Sequence, residues 1–338
     1  MKRSRWTRRP DLTRVARALG VAALALLVPA GADGQGEPEP DRSQECCLLL
    51  LVPVGARASA VGGTLTARAG PDAVFLNPAG LAGLRTNTFV VHHSDMSLAA
   101  QIDAFSLLIT PFSSTLGISY QLFDKGEITT TDVTGQPIGE LSLRDHLLVA
   151  SFATTLVGGL SGGVSYKLFQ QRIDCTGDCG GEESRGTTHA VDFGLRFTPS
   201  WHPALELGVA LVNLGFPLQM VNAAQADAFP ARLHLGVGYD VLALLRADSP
   251  LAARVLVDVR DSPREPGDFA PSFGLELDMQ RIIFVRAGYA AGEGLGTGAA
   301  VGVELRYDRF DVAVARSFVN SSLEADTEPF QVSFGLNF

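Results

Sequence analysis

The sequence predicts an all-β protein, a 14-stranded antiparallel transmembrane β-barrel with a short N-terminal hatch segment. Three observations predict it: short segments that alternate apolar and polar residues, connections that alternate long and short, and a chain that ends on such a segment. In residues 330–338, one face carries Phe330, Val332, Phe334, Leu336 and Phe338. A strand with an apolar face toward lipid and a polar face toward a lumen has this period of two. A soluble amphipathic strand would show the same alternation, so the rest of the chain must decide.

Fourteen alternating segments follow one another from residue 86 onward, and no helical periodicity of useful length interrupts them. Most are close to the roughly 9 to 11 residues that a tilted membrane strand needs. The segments are 86–94, 101–110, 115–124, 145–155, 160–171, 187–198, 204–213, 230–241, 252–261, 269–278, 282–290, 298–307, 309–317 and 330–338. We therefore predict that residues 86–338 form the barrel and that the last strand pairs with the first.

The connections distinguish a barrel from a sandwich, because outer-membrane barrels have short periplasmic turns and longer outer loops. The predicted outer loops are 95–100, 125–144, 172–186, 214–229, 262–268, 291–297 and 318–329. The predicted inner turns are 111–114, 156–159, 199–203, 242–251, 279–281 and Asp308. A β-sandwich has no reason for this asymmetry, so the connections favour the barrel.

Residues 1–32 have the features of a cleaved signal peptide: a basic start, a short apolar run and a final Ala30-Gly31-Ala32. We expect general secretion, followed by a flexible linker over residues 33–44. Loss of residues 1–32 removes seven basic side chains and one acidic side chain, so the formal charge of −9 becomes −15. An acidic exported chain is a poor candidate for nucleic-acid binding. The predicted location is the bacterial outer membrane, with membrane lipid as a partner.

The predicted inward faces of the strands carry charges of both signs. They are Arg196, Glu206, Arg232, Arg254, Asp258, Arg260, Glu276, Asp278, Glu304 and Arg306. Charges at mid-strand belong in a lumen, because a basic side chain that faces lipid costs roughly 2 to 4 kcal/mol. Mixed signs favour ion pairs across the lumen over a selectivity ring. The alternative is that these pairs only fill and stiffen the barrel.

The four cysteines form two close pairs in an exported chain, where disulfides persist. Cys175 and Cys179 lie in a Gly/Asp/Glu-rich stretch that is typical of a loop, and we predict a local disulfide between them. Free thiols or a metal site are the alternatives, although no histidine lies nearby to complete a zinc site. The state of the adjacent Cys46 and Cys47 is left open.

The segment 45–85, between the linker and the first strand, is rich in small residues and can pack inside a barrel mouth. It contains Pro53-Val-Gly-Ala-Arg57, Gly62-Gly63, Asp72-Ala73 and Asn77-Pro78-Ala79-Gly80-Leu81. In these residues the sequence resembles the PorV/PorQ (UPF0164) family of FadL-like outer-membrane barrels. The close match covers about forty residues, and the strand number agrees with that family's fourteen-stranded barrel.

The resemblance implies an N-terminal hatch near the periplasmic mouth, which the Asn-Pro-Ala-Gly-Leu turn helps to fix. Asn77 precedes a proline and must be extended or turn-like, and its side chain can bond the turn backbone. We therefore favour a structural role for Asn77, Pro78 and Gly80 over ligand contact.

The resemblance also implies an accessory or shuttle role in type IX protein secretion. Such a barrel binds the C-terminal signal domains of cargo proteins at its outer face. On this hypothesis the outer loops 125–144, 172–186 and 214–229 make the contacts. The alternative is a FadL-like channel that takes up hydrophobic small molecules through the hatch region. A structural barrel without a transport role is a third possibility.

Sequence motifs for catalysis are absent. The six histidines have no metal-ligand spacing, and no nucleophile elbow or Walker loop is present. We therefore expect no enzyme activity, no cofactor and no metal. The remaining expected partner is the barrel-assembly machinery, which would recognise Phe330, Phe334 and Phe338 at the C-terminus.

Overall fold

A computed structural model describes residues 45–96, 100–179, 183–221, 226–244, 250–291, 297–320 and 328–338. The predicted signal peptide (1–32) and linker (33–44) lie outside the described residues. None of the helices in the described ranges is long and apolar enough to cross a bilayer.

Fourteen antiparallel strands close into a barrel, in which each strand pairs with its neighbours in the chain and the first pairs with the last. The predicted fold class is confirmed. The strands are β1 Thr88–Asp95, β2 Gln101–Ile109, β3 Ser114–Thr131, β4 Pro137–Thr155, β5 Leu160–Gly177, β6 Ser184–Phe197, β7 Leu205–Gly215, β8 Arg232–Asp240, β9 Leu251–Asp261, β10 Ala270–Met279, β11 Ile283–Ala290, β12 Thr297–Tyr307, β13 Phe310–Asn320 and β14 Phe330–Asn337.

The alternation of side chains separates an apolar exterior from a filled lumen. On β12, Val301, Val303 and Leu305 point outward and are about half exposed, whereas Ala300 and Glu304 point inward and are buried. The other strands repeat this pattern, so the barrel presents an apolar belt to its surroundings. Such a belt matches the hydrocarbon of a bilayer.

The two ends of the barrel differ. The turn end carries the connections 110–113, 156–159, 198–204, 241–250, 280–282 and 308–309 between strands, together with the C-terminus. The loop end carries the others. In bacterial barrels of this kind the short turns face the periplasm. At the turn end, the Phe338 backbone N–H donates to the Asn87 carbonyl at 2.9 Å and joins the last strand to the first.

The predicted outer loops 125–144 and 172–186 are wrong in extent. The strand β3 continues to Thr131, β4 begins at Pro137, and β5 continues to Gly177. The resulting sheet rises above Asp124 by about seven residues, or roughly 23 Å. The polar composition of these segments predicts loops, but a strand outside the membrane does not need an apolar outer face.

The hatch is residues 45–85 and consists of short helical turns and irregular backbone. It contains a 3-10 helix at Leu48–Leu51, α1 at Ala56–Ala60, α2 at Ala73–Leu76 and a second 3-10 helix at Pro78–Gly83. Another 3-10 helix, Leu242–Leu244, lies in a turn.

Candidate functional site

The hatch crosses the lumen from the loop end to the turn end. At the loop end, the Cys46 backbone N–H donates to the Ala228 carbonyl (2.9 Å) and Arg232 pairs with Glu45 (2.7 Å). Near the turn end, Thr115 donates its hydroxyl to the Leu81 carbonyl (2.9 Å). The hatch is therefore a plug that follows the whole lumen, and the prediction that it lies near the periplasmic mouth is wrong in extent.

A row of inward glycines forms the wall against which the hatch backbone lies. A Cβ atom added to any of them would lie 2.0 to 2.7 Å from a hatch atom. The row consists of Gly163, Gly194, Gly208, Gly236, Gly274, Gly288 and Gly302, on β5 to β8 and β10 to β12. At Gly208, for example, the nearest atom is the Thr66 carbonyl oxygen at 2.2 Å. Side chains at these positions would push the hatch away from the wall.

Asn77 fixes the central turn of the hatch. Its backbone is extended, as a residue before proline requires. Its Nδ2 donates to the carbonyls of Thr66 (2.6 Å) and Leu195 (3.2 Å), and its Oδ1 accepts from the Ala79 N–H (3.1 Å). The side chain is fully buried. One amide therefore joins two parts of the hatch to strand β6.

A single buried carboxylate, Glu276 of β10, gathers four arginines. It accepts from Arg286 (2.7 Å), Arg68 (3.0 Å) and Arg254 (3.1 Å), and the Arg57 Nε lies 3.9 Å away. Arg57 and Arg68 belong to the hatch, whereas the other two belong to the wall. We call Glu276 and these four arginines the latch, because they join the plug to the barrel by charge.

Two further carboxylates extend the latch. Glu206 of β7 accepts from Arg68 (2.5 Å) and from Arg196 of β6 (2.8 Å). Within the hatch, Arg57 pairs with Asp72 at 3.3 Å. Arg57 stays charged, because an arginine guanidinium keeps its proton in proteins.

The other predicted lumen charges also have partners. Glu304 pairs with Arg286 (2.6 Å) and with Arg306. Asp278 lies 3.6 Å from Arg254. The Asp258 carboxylate accepts from the Thr66 N–H (3.0 Å), so a further wall carboxylate holds the hatch. Near the loop end, Arg260 donates to the Ser272 hydroxyl (2.6 Å) and Arg232 holds Glu45.

A cluster of apolar side chains lies on the opposite side of the lumen. Its wall side chains lie on β2, β4, β5 and β6 and pack against hatch side chains, among them Val74 and Phe75. We call these wall residues the apolar stripe; they are Ala104, Leu108, Leu147, Val149, Ala153, Phe169 and Ala190. At the loop end, the Phe169 ring meets the Phe229 ring edge to face at 5.6 Å. The same inward faces also carry the buried Lys167–Asp192 ion pair (2.7 Å), so the apolar stripe lies beside this pair and is separate from the latch.

A polar cavity of about 870 Å³ lies at the turn end. The hatch residues Arg57, Arg68 and Asp72 form part of its lining, and so do Arg281 and Asp308 of the turns. We call this space the vestibule. It brings the latch next to the end that the short turns mark as periplasmic.

The buried His92 of β1 joins three elements at the vestibule. Its Nδ1 lies 2.8 Å from the Ser333 hydroxyl of β14, which accepts from the Ala56 N–H of the hatch (2.8 Å). The Ser333 hydroxyl therefore bonds to both the His92 ring and the hatch backbone. This contact anchors the hatch beside the seam where the barrel closes.

Both cysteine pairs are disulfide-bonded. Cys175, near the end of β5, is joined to Cys179 just after that strand, and Cys46 is joined to Cys47 at the start of the hatch. Phe330, Phe334 and Phe338 are all outward and 42–53% exposed. Their role as an assembly signal stays a prediction. The described parts of the chain contain no group of three or more metal-ligating side chains that could hold an ion.

The sequence did not predict the two hatch arginines of the latch, Arg57 and Arg68, or the glycine row. Arg57 lies in the single-turn helix α1 and Arg68 lies in irregular backbone, and neither segment is long enough for a periodicity to give a direction to a side chain. The glycines could have been recognised, because five of the seven lie on the same strand faces as the predicted lumen charges.

The model of the Uncharacterised protein family (UPF0164) matches residues 25–338. No curated protein matches the sequence significantly.

Similar solved structures are barrels of comparable length. The "TodX monoaromatic hydrocarbon channel deltaS2 mutant" is 14% identical with a TM-score of 0.59, and 84% of this chain covers 98% of that one. The "CymD monoaromatic hydrocarbon channel" is 14% identical with a TM-score of 0.58, with coverages of 85% and 98%. A FadL homologue from Pseudomonas aeruginosa is 11% identical with a TM-score of 0.53, with coverages of 85% and 99%. The chain belongs to the UPF0164 family, and its fold is that of the FadL-like outer-membrane barrels.

Proposed function

We propose that the protein is a hatch-gated outer-membrane channel for hydrophobic small molecules. The observation that carries this proposal is the apolar stripe, which packs against the plug, while the latch holds the plug from the other side. A path along the stripe would keep an apolar solute away from the charges of the latch.

The physical argument concerns what a solute would replace. Hatch side chains such as Val74 and Phe75 cover the stripe, and each apolar contact is worth roughly 25 cal/mol per Å². An apolar solute can replace these contacts at little net cost. It cannot replace the ion pairs of the latch. The latch would therefore hold one side of the hatch in place while the apolar side moves away from the stripe.

The structural neighbours support the same substrate class. TodX and CymD are described as monoaromatic hydrocarbon channels. A monoaromatic hydrocarbon is therefore the first solute to test.

The test is uptake of radiolabelled toluene by cells that express the protein. Leu147→Gln places an amide in the apolar stripe. The matched control Leu256→Gln places the same amide at a buried lumen leucine on β9, outside the stripe. We expect uptake to fall several-fold for Leu147→Gln and to stay near the wild-type rate for Leu256→Gln. Equal uptake by wild-type cells and cells lacking the protein would contradict the proposal.

The type IX accessory role is the second candidate, and the sheet above the barrel favours it. That sheet exposes Ile128, Val133 and Ile138, and beyond Asp124 the strand β3 pairs with β4 alone. An exposed strand edge can pair with a strand of another protein.

The second candidate is tested by removing the exposed sheet. Residues 127–142 would be replaced by a two-residue turn, and capture of a cargo C-terminal signal domain by solubilised protein would be measured. We expect capture to be lost if the role is correct. Unchanged capture would exclude this contact surface, and absence of capture by the wild type would exclude the role. A barrel that shows neither uptake nor capture would have a structural role.

A further inference from the structure

Three arginines form a row across the outside of the barrel at the loop end. Arg144 of β4 pairs in register with Arg172 of β5, and Arg172 pairs with Arg185 of β6. All three lie at outward positions, since the inward residues of these strands include Asp145, Gln171 and Gly186. Neighbouring strands are about 4.8 Å apart, so the row is roughly 10 Å long.

Such a row is unfavourable without an anion, because like charges directly opposite each other on a sheet repel. Asp124 pairs with Arg144 at 2.9 Å, and Asp174 lies 3.5 Å from Arg172. Arg185 is exposed and forms no ion pair with the residues that the structure describes. The Arg144 and Arg172 side chains remain 40% and 37% exposed. The row therefore retains positive charge that a ligand can reach.

The row lies where the apolar belt ends. Four residues closer to the turn end along each strand, the outward residues include Tyr120, Leu148 and Leu168. Tyrosine–histidine pairs occur at this level: the Tyr120 hydroxyl lies 2.7 Å from His146, and the Tyr166 hydroxyl lies 2.7 Å from His189. Tyrosines of this kind mark the interface between hydrocarbon and headgroups.

Carboxylates on the far side of the row restrict where an anion can bind. Asp174, Glu127 and Glu140 lie beyond the arginines toward the tip of the sheet. They repel an anion above the row, so the favourable position is at the row itself, on the side that faces the apolar belt. A free anion has no need of an apolar surface below it, whereas a lipid has its acyl chains there.

We propose that Arg144, Arg172 and Arg185 bind the phosphate groups of a phosphorylated lipid in the outer leaflet. Guanidinium groups bind phosphate through paired, charge-assisted hydrogen bonds. The acyl chains of this lipid would lie along Leu148 and Leu168. The site is on the outside of the barrel and does not depend on the proposed channel.

The experiment measures lipid binding by the full-length protein in detergent. The protein is titrated with a bisphosphorylated glycolipid and, in parallel, with phosphatidylcholine, and bound lipid is counted by native mass spectrometry. The test variant is Arg144→Gln/Arg172→Gln/Arg185→Gln. The matched control is Arg316→Gln, because Arg316 is also outward at the loop end but has Val301 and Phe330 as its strand neighbours.

We expect the triple variant to bind the glycolipid at least about tenfold more weakly, because three charge-assisted contacts are lost. The control should bind like the wild type, and inorganic phosphate alone should compete only weakly. Resistance of the unheated barrel to SDS shows that each variant is folded. Equal glycolipid binding by the wild type and the triple variant would overturn the proposal. Full competition by inorganic phosphate would also overturn the proposal. The same holds if an acidic protein, and not a lipid, is found bound to the row.

Discussion

At the scale of single residues, the wall and the hatch fit because side chains are missing where the two backbones meet. Adjacent glycines on β5 show the effect. Gly163 points inward, and a Cβ atom there would lie 2.3 Å from the Pro78 carbonyl carbon. Gly162 points outward, and its Cβ would meet only the Leu156 and Leu195 side chains at 3.5 Å or more.

We predict that Gly163→Ala destabilises the protein by roughly 1–3 kcal/mol, since the added methyl meets backbone that cannot easily move. Gly162→Ala should be neutral or slightly stabilising, because alanine reduces the freedom of the unfolded chain. The difference in stability is measured by urea unfolding of the two variants, with the gel mobility of unheated samples as the signal for the folded form. Equal urea midpoints for the two variants would show that the hatch does not pack closely against this wall.

The latch gives a second prediction at the residue scale. Glu276→Gln removes the anion that four arginines share, and a buried pair that loses one partner typically costs about 3–5 kcal/mol. We expect a hatch that is released more often, with a higher ion conductance in planar bilayers.

Glu276→Asp is the comparison for the latch, because it keeps the charge on a shorter side chain. Its conductance should lie between those of the wild type and Glu276→Gln. If both variants conduct like the wild type while remaining folded, the latch does not hold the hatch.

The limits of sequence reasoning are clearest in the latch. The sequence predicted the inward position of Glu276 and Glu206, because a strand places every second side chain on one face. It did not predict that Arg57 and Arg68 would meet them, because hatch and wall are more than a hundred residues apart and no pattern encodes that register. The fold followed from local periodicity, whereas the site depends on long-range contacts.

At the scale of elements, the composition of the sheet above the barrel predicts loops and not strands. The segments 125–131 and 137–144 contain threonines, charges, glycines and a proline, which are typical of loops. Their alternation is nevertheless regular. Leu141 pairs with both Ile128 and Cys175 and forms one apolar row, whereas Ser142 and Asp174 lie on the other face.

We predict that this sheet is dispensable for the barrel. The tip pairs only within β3, β4 and β5, and below Asp124 each of these strands is paired on both sides. Replacing residues 127–142 with a two-residue turn should leave the SDS-resistant folded form and its melting temperature nearly unchanged. A variant that is found only unfolded would show that the sheet takes part in barrel assembly.

At the scale of the whole molecule, closure depends on one seam between the ends of the barrel sequence. Eight residue pairs in register join β1 to β14, from Thr88 with Asn337 to Asp95 with Phe330. His92 and Ser333 of this seam also hold the hatch through the Ala56 N–H. The closing strand therefore connects barrel and plug, so a defect in closure should also affect the plug.

We predict that deletion of Phe338 impairs assembly more than stability. Its N–H makes one hydrogen bond to Asn87, and its ring is 53% exposed, so a folded barrel loses little without it. Recognition by the assembly machinery would lose its terminal aromatic. Outer-membrane yield in cells should fall several-fold, whereas protein refolded in detergent should melt close to the wild type. Phe310→Ala is the matched control, because Phe310 is similarly exposed at the same end but is not terminal. Normal membrane insertion without Phe338 would exclude the signal role, and an equal loss of yield in the control would assign the effect to lipid contact.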